Sequence, residues 1–187
     1  RLLSSWGVTS EKKLILMPGR LTKWKGQEVF IEALNLVNKE LGHLSFYAII
    51  LGSDQGRDIY TKKIKRLAEQ YRLIPQLKFI EHCKNMPLAY KVSNLVVSAS
   101  IEPEAFGRVS IEAQSMEKPI IASDIGGSNE TITNNVSGFL FESNNPESLS
   151  KKIIEVLNLD ESRLKLIGIE GRKNIIKKFN VEKMCFS

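Results

Sequence analysis

Two glutamates, Glu104 and Glu112, stand eight positions apart in the stretch EPEAFGRVSIEA, which runs from Glu102 to Ala113. A carboxylate accepts two hydrogen bonds from a vicinal diol, so acids in such a stretch suit sugar hydroxyls. A helical pattern opens at Gly107. This places the backbone N–H groups of Phe106, Gly107, Arg108 and Val109 near the positive end of a helix, a natural anion site. One segment could then hold a phosphate on amides and hydroxyls on acids. The spacing also fits a simpler arrangement, in which Glu104 complements the helix dipole and Glu112 is a solvated helix acid.

Upstream, PGRLTKWKGQE carries Arg20 and Lys25 in one loop, with Gly19 just before them. Two cations suit a diphosphate, Arg as a planar fork and Lys as a point charge, although a basic surface loop would read the same way. No glycine-rich run is followed by Lys-Ser or Lys-Thr, and no G-x-G-x-x-G occurs. Gly52, in GSDQGR, frees the backbone to approach a ligand. EHCKNMPLAY holds His82, Cys83 and Met86. Adjacent residues at a strand end diverge, so a Cys-His nucleophilic pair is not expected there, while the backbone of the loop remains able to line a pocket.

These groups need elements to carry them. KLILMPG, LSFYAIILG, LKFIE, NLVVSAS, KPIIAS and GFLFE are short, continuous apolar runs that read as buried strands. Between them lie helical patterns: QEVFIEALNLVNKEL, DIYTKKIKRLAEQYRL, a short MPLAYKVS with Pro87 in its first turn, GRVSIEAQSME, and a short helix after Gly126-Gly127. PESLSKKIIEVLNL and ESRLKLIGIEGRKNIIKKF close the chain as helices. Continuous rather than alternating strands that alternate with helices predict an α/β, Rossmann-like three-layer sandwich around a six-stranded parallel sheet. Ligands of such sheets bind beyond the carboxyl ends of the strands. The loops GRLTKWKG, GSDQGR, EHCKNM, SIEPEAFG and SDIGGSNE all fall there.

The 187 residues, 42% hydrophobic and 26% charged, suit one globular domain, or half of a larger enzyme. No apolar run reaches the roughly 20 residues of a membrane span, and residues 1–7 lack the apolar stretch of a signal peptide. The chain does not begin with Met, so a fragment of a longer protein is expected. Cys83 and Cys185, distant and without a local partner pattern, suggest free thiols in a reducing compartment, and with His43 and His82 they make no metal cluster. The net charge of +6 gathers on helices, at Lys62, Lys63, Lys65 and Arg66, at Lys151 and Lys152, and at Arg172, Lys173, Lys177 and Lys178. That pattern fits solvated helix faces or attraction to anionic lipid heads. No aromatic platform stands among the basic residues, so a nucleic-acid partner is not expected.

Taken in order, GRLTKWKG, GSD, SASIEPEAFGRVSIEAQS, KPIIASDIGGSNE and SGFLF resemble family 4 of the retaining glycosyltransferases, from about Leu14 to the last helices. The resemblance is to the C-terminal, donor-binding half of a GT-B enzyme, taking residues 1–187 as that one domain, with the N-terminal acceptor domain outside this chain. GRLTKWKGQE, HCKNMPLAY and SASIEPEAFGRV look most like the lipopolysaccharide core transferases of α-proteobacteria, among them mannosyltransferases.

The resemblance implies transfer of a hexose, mannose or glucose, from a GDP- or UDP-linked donor to a lipopolysaccharide core or other glycan or lipid-linked acceptor. It implies no metal and no further cofactor. Arg20 and Lys25 match the pair that stabilises the donor diphosphate and its leaving charge. Glu104 matches the acid facing the donor sugar, and these three form the catalytic set. Glu112 matches the acid that takes the ribose diol. The amides of Phe106, Gly107 and Arg108, with Ala105 beside them, match those near sugar and phosphates. Gly19 and Gly52 belong to the loops that approach the donor, and the loop with His82 and Met86 matches the wall against the nucleobase.

A cytoplasmic place is implied, peripheral on the inner face of the membrane, with weak attraction to anionic lipid. The domain alone is expected to bind donor weakly and to transfer nothing. Glu81 and Glu117 depart from the pattern, each standing where the family usually has Gly. They motivate an alternative, a non-catalytic nucleotide-sugar binding or docking module. A GT-B epimerase shares the fold but would lack the EPEAFG…E arrangement.

Overall fold

The computed structural model describes residues 2–42, 45–56 and 58–179. His43 and Cys185 lie outside the described residues. Its elements run α1 (Leu2–Ser5), β1 (Lys13–Pro18), a 3₁₀ turn (Lys23–Lys25), α2 (Gln27–Leu41), β2 (Phe46–Leu51), α3 (Asp58–Gln70) and β3 (Leu77–Ile80). They continue as α4 (Met86–Val92), β4 (Leu95–Ser98), α5 (Arg108–Ser115), β5 (Ile120–Ser123), α6 (Gly127–Thr131), β6 (Phe139–Phe141), α7 (Pro146–Asn158) and α8 (Glu161–Lys178). All six strands form one parallel sheet in the order β3-β2-β1-β4-β5-β6.

The apolar runs become strands because both their faces are covered. Along β1, Ile15 and Met17 enter one apolar cluster and Leu14 and Leu16 the other. The first cluster is completed by α2, α3, α7 and Ile167 of α8, the second by α1, α4 and α5. Phe30, Ile31 and Leu34 of α2 are fully buried, and Phe30→Ala-type cavities in such a layer cost about 3–5 kcal/mol. Asn85 and Asn145 cap α4 and α7 by accepting from the N–H groups of Leu88 and Ser148, each just ahead of a first-turn proline. No helix among the described residues is long and apolar enough to cross a membrane.

Much of the helix-face basic charge is paired. Lys62 reaches Asp58 at 2.6 Å, Lys63 reaches Glu28 at 2.5 Å, Lys152 reaches Glu155 at 2.9 Å and Lys173 reaches Glu170 at 2.7 Å.

Glu117 closes α5 in the left-handed region, with φ 55°. Its N–H donates to the Gln114 carbonyl at 3.0 Å and that of Lys118 to the Ala113 carbonyl at 2.9 Å, a two-bond helix stop that favours glycine. Its half-exposed partner Arg172 stands 3.8 Å away and contributes little. Glu117→Gly is therefore expected to stabilise the fold by about 1 kcal/mol, from relief of left-handed strain. A rise in the urea unfolding midpoint at constant slope is the expected readout; a fall would show that the side chain matters more than the backbone.

Candidate functional site

The sheet reverses its winding between β1 and β4, which pair through Ile15–Leu95 and Leu16–Val96. The loops that leave these two strands therefore face each other at the carboxyl edge, where open α/β sheets hold ligands. A cleft of about 480 Å³ lies between them, lined by Gly19, Arg20, Trp24 and Lys25 from one loop and residues 103–109 from the other. The Ile101 N–H donates to the Trp24 carbonyl at 2.8 Å and ties the loops together.

Gly26 makes that approach possible. It has φ 72°, and a Cβ there would lie 1.8 Å from the Ala99 carbonyl oxygen. Gln27, 1% exposed, donates from its amide to the Arg20 carbonyl at 2.8 Å and accepts from the Tyr60 hydroxyl at 3.2 Å, fixing the backbone under Arg20. The Trp24 ring lies under both cations, with the Lys25 Nζ 4.4 Å and the Arg20 guanidinium 6.0 Å from its centroid.

Lys25 and Glu104 meet inside the cleft. The Nζ is 2.7 Å from Glu104 Oε1, with 13% and 17% of the two side chains exposed. The Ser100 hydroxyl donates to the same oxygen. Sequence alone assigned Lys25 to a diphosphate and Glu104 to a sugar; the structure shows the two side chains as partners.

The second loop rests on glycine as well. The Gly127 N–H donates to the Glu104 carbonyl at 2.8 Å, and a Cβ on Gly127 would lie 2.8 Å from the Phe106 carbonyl carbon. Gly107 then starts α5 with no capping side chain, leaving the N–H groups of Arg108 and Val109 at the cleft edge, while that of Ser110 donates to the Gly107 carbonyl at 2.9 Å. Phe106 stands 48% exposed there, edge-on to Phe179 at 5.5 Å.

One turn into α5, Glu112 lies beyond the cleft lining. Its Oε2 accepts from the Tyr90 hydroxyl at 2.6 Å, and its Oε1 is 3.9 Å from the exposed Arg108 Nε. Burial, first, and then the bond to Glu112 push the Tyr90 phenol well above its ordinary range, so it remains a donor.

The structure thus brings Gly19, Arg20, Lys25, Glu104, Ala105, Phe106, Gly107 and Arg108 to one cleft. Gly52 instead lines a smaller hollow of about 140 Å³ with Glu81, Asp54 and Lys65. There a Cβ on Gly52 would lie 1.9 Å from the Gly19 carbonyl oxygen, so the glycine serves contact between strand ends. His82 is exposed and Met86 half-buried against the second apolar cluster, both outside the cleft lining. Sequence reasoning missed Trp24, Gln27, Ser100 and Tyr90. Only Trp24 carried a signal, as an aromatic between two cations.

A doubly wound parallel sheet with a cationic cleft at its switch point defines a Rossmann-like domain, and its fold matches the C-terminal half of GT-B glycosyltransferases. The chain belongs to the Glycosyl transferases group 1 family, whose model matches residues 3–173. It is 28% identical over 162 residues to the capsular polysaccharide biosynthesis glycosyltransferase CapM of Staphylococcus aureus, covering 87% of this chain and 41% of that protein. The crystal structure of a glycosyltransferase from Rickettsia africae ESF-5 superposes with TM-score 0.91 at 37% identity, covering 98% of this chain and 48% of that one. Anabaena Alr3699/HepE, solved in complex with UDP and glucose, superposes with TM-score 0.87 at 27% identity, covering 98% of this chain and 48% of that one. The same protein has also been solved with UDP and with UDP-glucose. The chain spans less than half the length of curated relatives that it matches.

Proposed function

We propose that this chain is the donor-binding half of a retaining glycosyltransferase that moves a hexose, mannose or glucose, from a GDP- or UDP-linked donor to a glycan or lipid-linked acceptor such as a lipopolysaccharide core. The observation that carries the reading is the convergence of Arg20, Lys25 and the uncapped start of α5 on one cleft that also holds Glu104. The UDP, glucose and UDP-glucose bound by a structural neighbour support it.

When the anomeric C–O bond to the β-phosphate breaks, its electron pair leaves on the phosphate oxygen. Arg20, Lys25 and the α5 amides would stabilise that charge, in a preorganised site where such groups act most strongly. The protein's own cations supply the positive charge, so the reading requires no metal. Glu104 would face the sugar hydroxyls, and Glu112 the ribose diol, with the nucleobase toward the loop of His82 and Met86.

Calorimetry of the full-length protein against UDP-, GDP- and ADP-sugars tests the reading. Binding of none of them would overturn it, and binding without transfer would favour a non-catalytic module. Glu112→Ala is expected to weaken nucleotide binding by about 1.5–3 kcal/mol, the range for hydrogen bonding to a charged group. Unchanged affinity in a folded variant would remove Glu112 from the site.

A further inference from the structure

Glu112 stands on an exposed helix face, with 43% of its side chain open to solvent. A glutamate in such a place ordinarily samples several rotamers and loses that freedom on binding a ligand. Here one of its oxygens is already held. Tyr90, 2% exposed and packed in the second apolar cluster with Ala89 and Ala113, brings its hydroxyl to 2.6 Å from Oε2. The other carboxylate neighbour, Arg108, is too loose to fix anything, at 3.9 Å with 84% of its side chain exposed. The carboxylate is thus clamped from the protein side and open on the other.

We propose that Tyr90 is a positioning residue: its buried hydroxyl locks the Glu112 carboxylate so that the remaining lone pairs face a vicinal diol on the ligand. This rests on the reading of Glu112 as the ribose acid. Each carboxylate oxygen has two lone pairs, and the phenol uses one of the four, leaving enough for both hydroxyls of a diol. The ring is set by core packing and the proton stays on the phenol, so the orientation exists before the ligand arrives. A binding group held ready in this way raises affinity by reducing what must be ordered on binding. Tyr90 lies one helical turn after Met86 on α4, so the same contact joins α5 to the helix that follows the loop carrying His82.

The test uses UDP and GDP, each beside its 2′,3′-dideoxy counterpart, titrated calorimetrically into the full-length protein. Wild type is expected to prefer the ribo form. Tyr90→Phe should weaken the ribo form several-fold, up to roughly tenfold, the scale of ordering one rotamer-rich side chain on binding, and leave the dideoxy form unchanged. In a Glu112→Ala background the same change should do nothing further.

A purely structural role would lower both forms equally, and that result would overturn the proposal, as would an unaltered ribo-to-dideoxy ratio. Should Tyr90→Phe not fold, Glu112→Asp serves. It keeps the charge but shortens the reach to the phenol, and it should lose the same discrimination; retained discrimination would again overturn the proposal. Wild type that binds nucleotide without discriminating defeats this inference and the placing of Glu112 at the ribose but leaves donor binding standing, whereas wild type that binds no nucleotide defeats the functional reading as a whole.

Discussion

Lys25→Ala is expected to weaken binding of a nucleoside diphosphate by about 2–4 kcal/mol, on the order of 30- to 1,000-fold. One part is the lost charge-assisted contact to a phosphate oxygen, about 1.5–3 kcal/mol. The other part is specific to this cleft. Lys25 neutralises Glu104 at 2.7 Å, and its removal leaves a carboxylate facing the incoming anion. Lys25→Ala should therefore be worse than Arg20→Ala, which strands no acid. Adding Glu104→Gln to Lys25→Ala should recover part of the loss. Uridine or guanosine affinity should hardly move in any of these variants. Calorimetry with UDP against uridine, and GDP against guanosine, decides it. Equal losses for nucleotide and nucleoside would mean that the loop does not hold phosphate.

A second large effect is expected at a residue with no side chain. Gly26→Ala would set a Cβ 1.8 Å from the Ala99 carbonyl oxygen at φ 72°, a clash of the methyl group with backbone that no rotamer relieves. Left-handed strain of about 1–2 kcal/mol plus overpacking of about 1–3 kcal/mol gives a destabilisation of roughly 2–5 kcal/mol. Gly7 is the control. Its φ is 68°, yet nothing lies within 4 Å of its Cβ position, so Gly7→Ala should show only the strain. Urea unfolding of the two variants separates the terms. Similar losses in both would mean that the loop from Arg20 to Gly26 yields easily, and that close contact between the two site loops is not what Gly26 secures.

The fold was legible where burial and period agree. QEVFIEALNLVNKEL matches α2 from its first residue to its last, because its apolar face recurs at helical spacing and glycines stand on both sides. The strands were legible as continuous apolar runs, since a parallel sheet covered on both faces leaves no polar alternation to find. The 3₁₀ turn at Lys23–Lys25 and helix α1 were not read, being too short to show a period.

The site divides in the same way. Charges near a glycine in a loop after a strand can be found one loop at a time, as Arg20, Lys25 and Glu104 can. Their partners cannot. Tyr90 meets Glu112 across 22 residues of chain, and nothing local in LAYKV distinguishes a tyrosine that orients an acid from one that fills the core. The pairing of Lys25 with Glu104 likewise depends on β1 lying beside β4, and strand order is not written in any single segment.

That adjacency also bears on when the cleft comes into being. β1 and β4 are separated by two complete strand–helix excursions, through β2 and β3, before they pair. Their contact is thus a long-range closure, the kind whose loop entropy is met late in assembly. Each half of the chain can form its own local strand–helix units, but neither holds both Lys25 and Glu104. A ligand that requires both can recognise only a chain whose two halves have already joined. By mass action it then stabilises the completed sheet and no earlier intermediate, so a bound nucleotide would act on unfolding far more than on the early steps of folding.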